Sequence, residues 1–172
     1  MILFPDMYVK NAYELPYEEM HARGFSGIIF DIDNTVALDN GPADDKCRQL
    51  FAKLSKMGYK TMILSNNDEP RVKSFADDVG CDYVFKAAKP SREGYAKAVK
   101  KLGMKKNRVF MVGDQIFTDI LGAKRSGIFA VMAGKLYWKE RAHIYLKRIF
   151  ELPIMAAYFI SNAVSHFGAK QH

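Results

Sequence analysis

The sequence predicts an α/β protein with three layers, in which helices cover both faces of a parallel central sheet. Five short apolar runs alternate along the chain with segments whose apolar residues follow a helical period. This alternation is typical of parallel strands joined by right-handed helical crossovers. A length of 172 residues and an apolar content of 49% are sufficient for one domain with a sizeable core. We therefore expect one domain, residues 1–133, followed by a tail, residues 134–172.

Residues 1–26 precede the first predicted strand and are expected to pack on the domain. Within this segment, residues 4–9 are expected to be extended or to form a turn. Pro16 is suited to the first turn of a short helix, and Gly24 is suited to its end.

The predicted strands are apolar runs that end where turn-forming residues begin. The first run, Gly-Ile-Ile-Phe at 27–30, is apolar throughout, which is typical of a strand buried on both faces. Ser65 and the two asparagines after it end the second run in the same way. The predicted strands are residues 27–31, 61–64, 82–85, 109–112 and 128–132.

The helices between these strands are predicted from the spacing of apolar residues and from glycines at their ends. Cys47, Leu50, Phe51 and Leu54 follow the spacing i, i+3, i+4, i+7, and Gly58 comes after them. The predicted helices are about 43–57, Pro70 to Gly80, Pro90 to Gly103 and about 116–126.

Chemically reactive side chains follow four of the predicted strands. Parallel strands bring their carboxyl ends to one edge of the sheet, where ligands bind in such folds. Each residue by itself is also typical of a turn, a helix cap or a solvent-exposed lysine, but their repetition at successive strand ends points to one site. The residues are Asp31, Asp33, Thr35, Ser65, Lys89, Asp114 and Asp119.

This set of groups is suited to phosphoryl transfer. Clustered carboxylates require a hard divalent cation, and oxygen ligands suit Mg²⁺. One aspartate can attack phosphorus, and a second can donate and then accept a proton. A hydroxyl and an ammonium can bind the transferred oxygens.

The four segments resemble the motifs of the haloacid dehalogenase (HAD) superfamily, which has a Rossmann-like fold. The motifs are Asp-x-Asp-x-Thr, an apolar run followed by Ser, a Lys, and Gly-Asp-x-x-x-x-Asp, in the expected order within residues 27–132. The resemblance implies that Asp31 is the nucleophile and Asp33 the general acid and base. It implies that Ser65 binds phosphate and that Lys89 balances charge. An acid at position 33 resembles the phosphatase branch of the superfamily.

The resemblance also implies a magnesium site and a set of supporting residues. The expected Mg²⁺ ligands are Asp31, Asp33 and Asp114. Other residues near the motifs are expected to contact the substrate or to support the groups that do. These residues are Thr35, Asn66, Asp119, Arg71, Lys124 and Arg125. Arg71, Lys124 and Arg125 are expected to hold a second phosphate.

Finer features resemble the YqeG-like (HAD type IIIA) proteins, which are related to phosphatidylglycerophosphate phosphatases. They include the run Lys86-Ala87-Ala88-Lys89-Pro90 and the run from Gly113 to Gly122. The intervals between the first three motifs hold only one helix and one strand each, so no cap domain is expected. A capless site is open to a large or surface-bound substrate, or is covered by a neighbouring subunit in a homo-oligomer. The substrate implied by the resemblance is phosphatidylglycerophosphate.

The charge and the tail indicate a membrane surface as a partner. Of the net charge of +7, the tail carries +4, from six Lys or Arg against two Glu. Pro153 is expected to break or restart its helix, and Trp138 to lie at headgroup level. Two apolar stripes are expected on the tail, formed by Ala142, Tyr145, Leu146 and Ile149, and by Ala156, Phe159, Ile160, Ala163, Val164 and Phe167. These stripes suit an interfacial helix on anionic lipid, or packing on the domain or on another subunit.

Several alternatives remain at the level of sequence. The basic surface also suits a phosphatase for nucleic-acid ends or for a soluble phosphomonoester, although the tail lacks the pattern of a strand-binding groove. A phospholipid-binding scaffold protein is the non-enzymatic alternative. Cys47 and Cys81 show no ligand spacing, which is typical of reduced core cysteines in a cytoplasmic protein. Peripheral contact with the inner face of the membrane is expected through the tail.

Overall fold

A computed structural model of the chain describes the backbone of residues 1–136 and 142–168 and, within these, the side chains of residues 1–136 and 149–162. Six parallel strands form one sheet in the order β1-β6-β5-β2-β3-β4. The strands are β1 Met7–Val9, β2 Gly27–Phe30, β3 Lys60–Leu64, β4 Asp82–Val84, β5 Val109–Gly113 and β6 Phe129–Ala133. The five predicted strands are confirmed, and the extended segment near the amino terminus is a sixth strand beside β6.

Helices cover both faces of this sheet, which confirms the predicted three-layer α/β fold. The helices are α1 Tyr17–Ala22, α2 Asp45–Lys56, α3 Glu69–Val79, α4 Arg92–Leu102, α5 Leu121–Ser126 and α6 Ala142–Gly168. Ile28 and Phe30 of β2 lie in the core under α1, α2 and α3, whereas Ile29 lies in the core under α4 and α5. A strand with both faces buried must be apolar at every position, which explains the uninterrupted run in β2.

The segment predicted as one helix at 116–126 has two parts. A π-helical segment, Ile116–Ile120, precedes α5. The N–H groups of Asp119 and Ile120 both donate to the carbonyl of Gln115, at 2.9 and 3.3 Å. The bond from Ile120 spans five residues, one more than in an α-helix, and such widened turns are frequent at functional sites.

The prediction that Pro153 breaks the tail helix is wrong, because α6 continues through it. Glu151, Ile154, Met155 and Tyr158, spaced i, i+3, i+4, i+7, form the buried or partly buried side of α6. Packing on both sides of the proline offsets the lost backbone hydrogen bond, a cost of about 3 kcal/mol. This buried side differs from the predicted stripes. The stripe residues outside 149–162 lie outside the described side chains, and so does Trp138.

The opposite side of α6 carries exposed apolar residues. Within the described side chains these are Ile149, Phe150, Leu152, Phe159 and Ile160, exposed by 47–68%. The ring of Phe159 also packs edge-on against Tyr8 of β1, at 5.2 Å between centroids. No helix in the described parts of the chain has the length and hydropathy needed to cross a bilayer.

Candidate active site

The polar residues predicted at strand ends meet at the carboxyl edge of the sheet. Asp31 follows β2, and its backbone N–H still donates to the carbonyl of Val112 in β5 at 3.0 Å. Ser65 follows β3, and Asp114 follows β5. Since β2 lies between β3 and β5, these three ends are neighbours. The side chains of Asp31, Ser65 and Asp114 are all buried.

Three buried carboxylates form a cluster at this edge. Asp31, Asp114 and Asp119 each offer an oxygen, and the three oxygens lie within 4.8 Å of one another. Gly113 makes this approach feasible, because a Cβ at position 113 would lie 2.4 Å from the Cβ of Asp119. The widened turn at 116–120 carries Asp119 back towards the strand end, where its Oδ2 accepts from the backbone N–H of Gln115 at 3.1 Å.

Lys89 supplies the ammonium that faces this cluster. Its Nζ donates to Asp31 Oδ1 at 2.6 Å and to Asp119 Oδ1 at 2.7 Å. Asn66 holds the backbone of Lys89 on both sides, accepting from its N–H at 2.7 Å and donating to its carbonyl at 3.3 Å. Asn66 therefore supports Lys89, which is one of the two roles expected for it from the sequence.

Burial and mutual charge determine the protonation of this cluster. Burial raises the pKa of the Asp31 carboxyl to about 7, Lys89 opposes this increase, and Asp119 and Asp33 add to it. Burial by itself would lower the pKa of Lys89, but the facing Asp119 and Asp31 outweigh it and raise the pKa above its ordinary value. The ammonium therefore stays charged, whereas Asp31 in the metal-free protein holds its proton more tightly than a solvated aspartate does.

The carboxylate of Asp33 has a separate set of partners. Its Oδ2 accepts from Asn67 Nδ2 at 2.6 Å, and its Oδ1 accepts from Arg71 Nη2 at 3.1 Å and from the backbone N–H of Asn40 at 3.0 Å. Ile32, between the two aspartates, is fully buried in the core. The carboxylate cluster thus differs from the expected magnesium ligands in one member, with Asp119 inside it and Asp33 outside.

The two hydroxyls predicted for the site are also buried at this edge. Ser65 Oγ accepts from the backbone N–H of Asn67 at 3.2 Å. The hydroxyl of Thr35 lies 3.4 Å from Asp114 Oδ1, to which it donates. Thr35 therefore contacts the carboxylate cluster.

Two of the predicted phosphate-binding cations lie elsewhere. Lys124 of α5 is paired with Asp6, whose Oδ2 accepts from Ala130 N near the start of β6. Arg125 lines a groove of about 430 Å³ between α4 and α5 together with Lys106, which precedes β5. Both cations thus lie towards the amino-terminal ends of the strands, because α5 runs back along the sheet, and the structure does not bring them to the site.

Three further residues support the site and were not singled out from sequence. Asn67 contacts both Asp33 and Ser65, and its position in a Ser-Asn-Asn run was the available signal. The hydroxyl of Tyr95 donates to the carbonyls of Thr118 and Asp119 at 3.1 Å each. Glu151 of α6 accepts from the backbone N–H of Ile116 at 2.7 Å, a contact that no sequence pattern indicates.

Comparisons with known proteins agree with this chemistry. Residues 33–127 match the sequence model of the haloacid dehalogenase-like hydrolases. The chain is 36% identical over 129 residues to a probable phosphatase, YqeG, of Bacillus subtilis (strain 168), covering 74% of this chain and 75% of that protein. It is 26% identical over 160 residues to phosphatidylglycerophosphate phosphatase 1, chloroplastic/mitochondrial, of Arabidopsis thaliana. That match covers 83% of this chain but only 44% of the plant protein.

Solved structures show the same fold. A HAD phosphatase from Thermococcus onnurineus superposes with a TM-score of 0.52 at 16% identity, covering 69% of this chain and 90% of that one. The family match covers more than half of the present chain, and the relative from Bacillus subtilis matches most of the length of both proteins. The chain therefore belongs to the haloacid dehalogenase-like hydrolases, and it is a phosphatase of that family.

Proposed function

We propose that the protein is a Mg²⁺-dependent phosphomonoesterase that works through an aspartyl-phosphate on Asp31 and acts on phosphatidylglycerophosphate. The observation that carries the chemical part is the cluster of three buried carboxylates with Lys89 donating to two of them. We also propose that residues 1–133 form the catalytic domain and that residues 134–172 form a basic amphipathic tail.

The residues of the cluster fit a divalent cation. Asp31, Asp114 and Asp119 present oxygen donors in a buried place, and their summed charge exceeds the single charge of Lys89. Hard oxygen donors suit Mg²⁺, which would be held by Asp31 and Asp114, with Asp119 beside them. When bound, the ion neutralises charge on the phosphoryl oxygens and orients the substrate.

The chain's own residues perform two successive displacements. A carboxylate oxygen of Asp31 attacks phosphorus, and the bond from phosphorus to the leaving oxygen breaks as Asp33 transfers its proton to that oxygen. A water oxygen then attacks phosphorus and gives a proton to Asp33, the bond to Asp31 breaks, and inorganic phosphate is released. Ser65 and Lys89 stabilise the transferred oxygens.

Three features support the lipid substrate. The Arabidopsis relative is named for phosphatidylglycerophosphate, although this chain spans less than half of its length. The described elements leave no cap over the carboxyl edge, so a substrate embedded in a membrane surface has access. The resemblance of the sequence to the YqeG-like group supports the same substrate.

A substrate panel tests this proposal. We expect the purified protein to hydrolyse phosphatidylglycerophosphate in micelles with a higher kcat/KM than glycerol phosphate or a phosphorylated oligonucleotide, and to lose activity in chelator. The Asp114→Asn variant should need far more Mg²⁺ for half-maximal turnover, because it removes one carboxylate of the cluster. A preference for either soluble substrate would overturn the lipid assignment. An unchanged Mg²⁺ requirement would overturn the metal site.

The exposed side of α6 is proposed to rest on anionic membrane. Four of its apolar side chains are exposed on the side away from the buried one, namely Ile149, Phe150, Leu152 and Ile160, and the tail is basic. Replacing Leu152, Phe150 and Ile160 together with Ser should weaken sedimentation with anionic vesicles by more than tenfold, since burial of even one such apolar side chain contributes roughly 1.5–3 kcal/mol. Turnover of a soluble aryl phosphate should stay unchanged.

Substitution is a sharper test of the tail than truncation. Removing α6 would also remove the Glu151 contact with Ile116 and expose the core contacts of Ile154 and Met155. The matched control replaces the same three residues with Met, which keeps them apolar. Equal vesicle binding of the Ser variant and the wild type would contradict the proposal. Self-association that only the Ser variant loses would identify the face as a homo-oligomer interface instead.

A further inference from the structure

The carboxylate of Asp33 is oriented by side chains from the loop after β3 and the first turn of α3. Asn67 and Arg71 each donate to a different oxygen of Asp33. Asp33 and Arg71 are both about four-fifths buried, with 22% of each side chain exposed. The backbone N–H of Asn40 also donates to Oδ1. A carboxylate with donors on both oxygens cannot rotate freely, so these two side chains, together with that N–H, determine where its oxygens point.

Arg71 is itself held in place. The Nη2 that donates to Asp33 also donates to the carbonyl of Gly41 at 2.7 Å. Its guanidinium carbon lies 5.5 Å from the ring centroid of Phe75, one helical turn further along α3. Pro70 starts that helix and Phe75 is buried in the core. Arg71 therefore connects α3 to the loop at Gly41 and to Asp33, and these contacts hold its guanidinium in one position.

We infer that Arg71, together with Asn67, is a positioning residue that orients the Asp33 carboxyl towards the leaving oxygen of the substrate. The inference rests on the proposed function, in which Asp33 transfers that proton. It differs from the sequence-based expectation for Arg71, which was contact with a second phosphate. Proton transfer needs a donor within hydrogen-bond reach of the oxygen it protonates, so a freely rotating Asp33 loses efficiency without losing the phosphate.

The two roles of Arg71 predict different kinetics. A phenolate leaves without a proton, whereas an alkoxide leaves only if it is protonated. Misorientation of Asp33 therefore slows the first displacement selectively for alkyl phosphates, which lowers their kcat/KM relative to that of aryl phosphates. The second displacement, in which Asp33 accepts a proton from water, is common to both esters. Loss of a phosphate contact acts on KM, and it does so for any substrate that carries the second phosphate.

The test compares para-nitrophenyl phosphate with glycerol phosphate in single-residue variants. We expect Asp33→Asn to lower kcat/KM for glycerol phosphate by about 10²–10⁴-fold, the usual range for a general acid. Arg71→Ala and Asn67→Ala should lower it by about tenfold or more, with kcat/KM for the aryl ester within about threefold of the wild type. Arg71→Lys, which keeps one donor, should fall between Arg71→Ala and the wild type, and added guanidinium should partly restore Arg71→Ala.

Arg48→Ala is the matched control. Arg48 also binds two carboxylates and a backbone carbonyl, but its partners are Asp45, Asp78 and Ala43, outside the site. It should leave the ratio of the two kcat/KM values unchanged. Thermal unfolding of each variant reports folding, and Arg71→Lys keeps the test valid if Arg71→Ala does not fold.

Three results would overturn the inference. Equal losses of kcat/KM on the two esters in the Arg71 variants would make Arg71 a structural support. Unchanged kinetics on both esters, with a raised KM for phosphatidylglycerophosphate, which carries a second phosphate, would make it a phosphate ligand. An Asp33→Asn variant without leaving-group selectivity would remove the role on which the inference rests. That last result, or a wild type inactive on both esters with Mg²⁺, is a failure of the proposed function itself and is distinguishable from the first two.

Discussion

Replacing Asp31 with Asn is expected to lower phosphatase turnover by about three orders of magnitude or more, because it removes the proposed nucleophile. The amide keeps the shape of the side chain but cannot form the aspartyl-phosphate. Asp31 is buried, its backbone is fixed by β5, and its oxygen faces Lys89. No other carboxylate of the cluster directly follows β2, so none can take its place at phosphorus. Turnover above about 1% of wild type, measured with an aryl phosphate and saturating Mg²⁺, would contradict the nucleophilic role.

The Asp31→Asn substitution should also change how the stability of the protein depends on pH. Burial raises the pKa of Asp31 to about 7, against about 3.9 in an unfolded chain, so the folded metal-free protein binds this proton more tightly. The resulting stabilisation is complete below about pH 4 and is lost as the pH rises towards 7. Asn does not titrate. We therefore expect Asp31→Asn to gain stability relative to the wild type as the pH rises through this window, in denaturant unfolding with chelator present. A constant difference between pH 4 and pH 8 would contradict the raised pKa.

Replacing Lys89 with Met is expected to lower the free energy of unfolding by about 3–5 kcal/mol at neutral pH. The methionine has a similar volume but leaves Asp31 and Asp119 without the ammonium they share. The Lys89 side chain is only 4% exposed, so water cannot replace the lost charge. Equilibrium unfolding in urea, without divalent cations, measures the effect. Added Mg²⁺ should recover part of the lost stability, because it supplies positive charge to the same carboxylates.

Lys97→Met is the matched control for this prediction. Lys97 pairs with Glu93 on the exposed surface of α4, at 2.7 Å, with more than half of each side chain exposed. An exposed pair contributes little, so this variant should unfold close to the wild type. Similar stability of the two Met variants would show that the buried ion pair is no more important than a surface one.

The positions of the main site residues could be predicted from sequence for a simple reason. A strand buried on both faces needs a continuous apolar run, and its carboxyl end lies where that run stops. Asp31, Ser65 and Asp114 could thus be placed at one edge from the sequence alone, and the structure places them there. The same local logic predicted the helices that end at Gly80 and Gly103, both of which have a left-handed backbone.

The positions of residues that lie within helices, and not at the ends of strands, were harder to predict. Lys124 follows the last motif closely in sequence, yet five residues of helix carry it back along the sheet to Asp6. Proximity in sequence therefore did not mean proximity to the site. Tyr158 is not a member of the predicted apolar stripes of the tail, yet it lies on the side of α6 that packs on the domain, edge-on to Phe4 at 5.7 Å. An apolar helix with more than one hydrophobic side offers no periodicity that selects the buried one.

The sequence by itself determined the parallel α/β architecture and the set of acids, hydroxyl and ammonium at its carboxyl edge. Both follow from local patterns, which are continuous apolar runs that stop at polar residues and apolar residues spaced with the helical period of 3.6. Only the tertiary structure decided which groups pair. In the structure, Asp119 lies in the carboxylate cluster, and Asp33 accepts hydrogen bonds from Asn67 and Arg71. Glu151 of α6 accepts a hydrogen bond from the backbone of Ile116. These pairings depend on side chains from separate elements meeting across the fold, at distances that no spacing along the chain encodes.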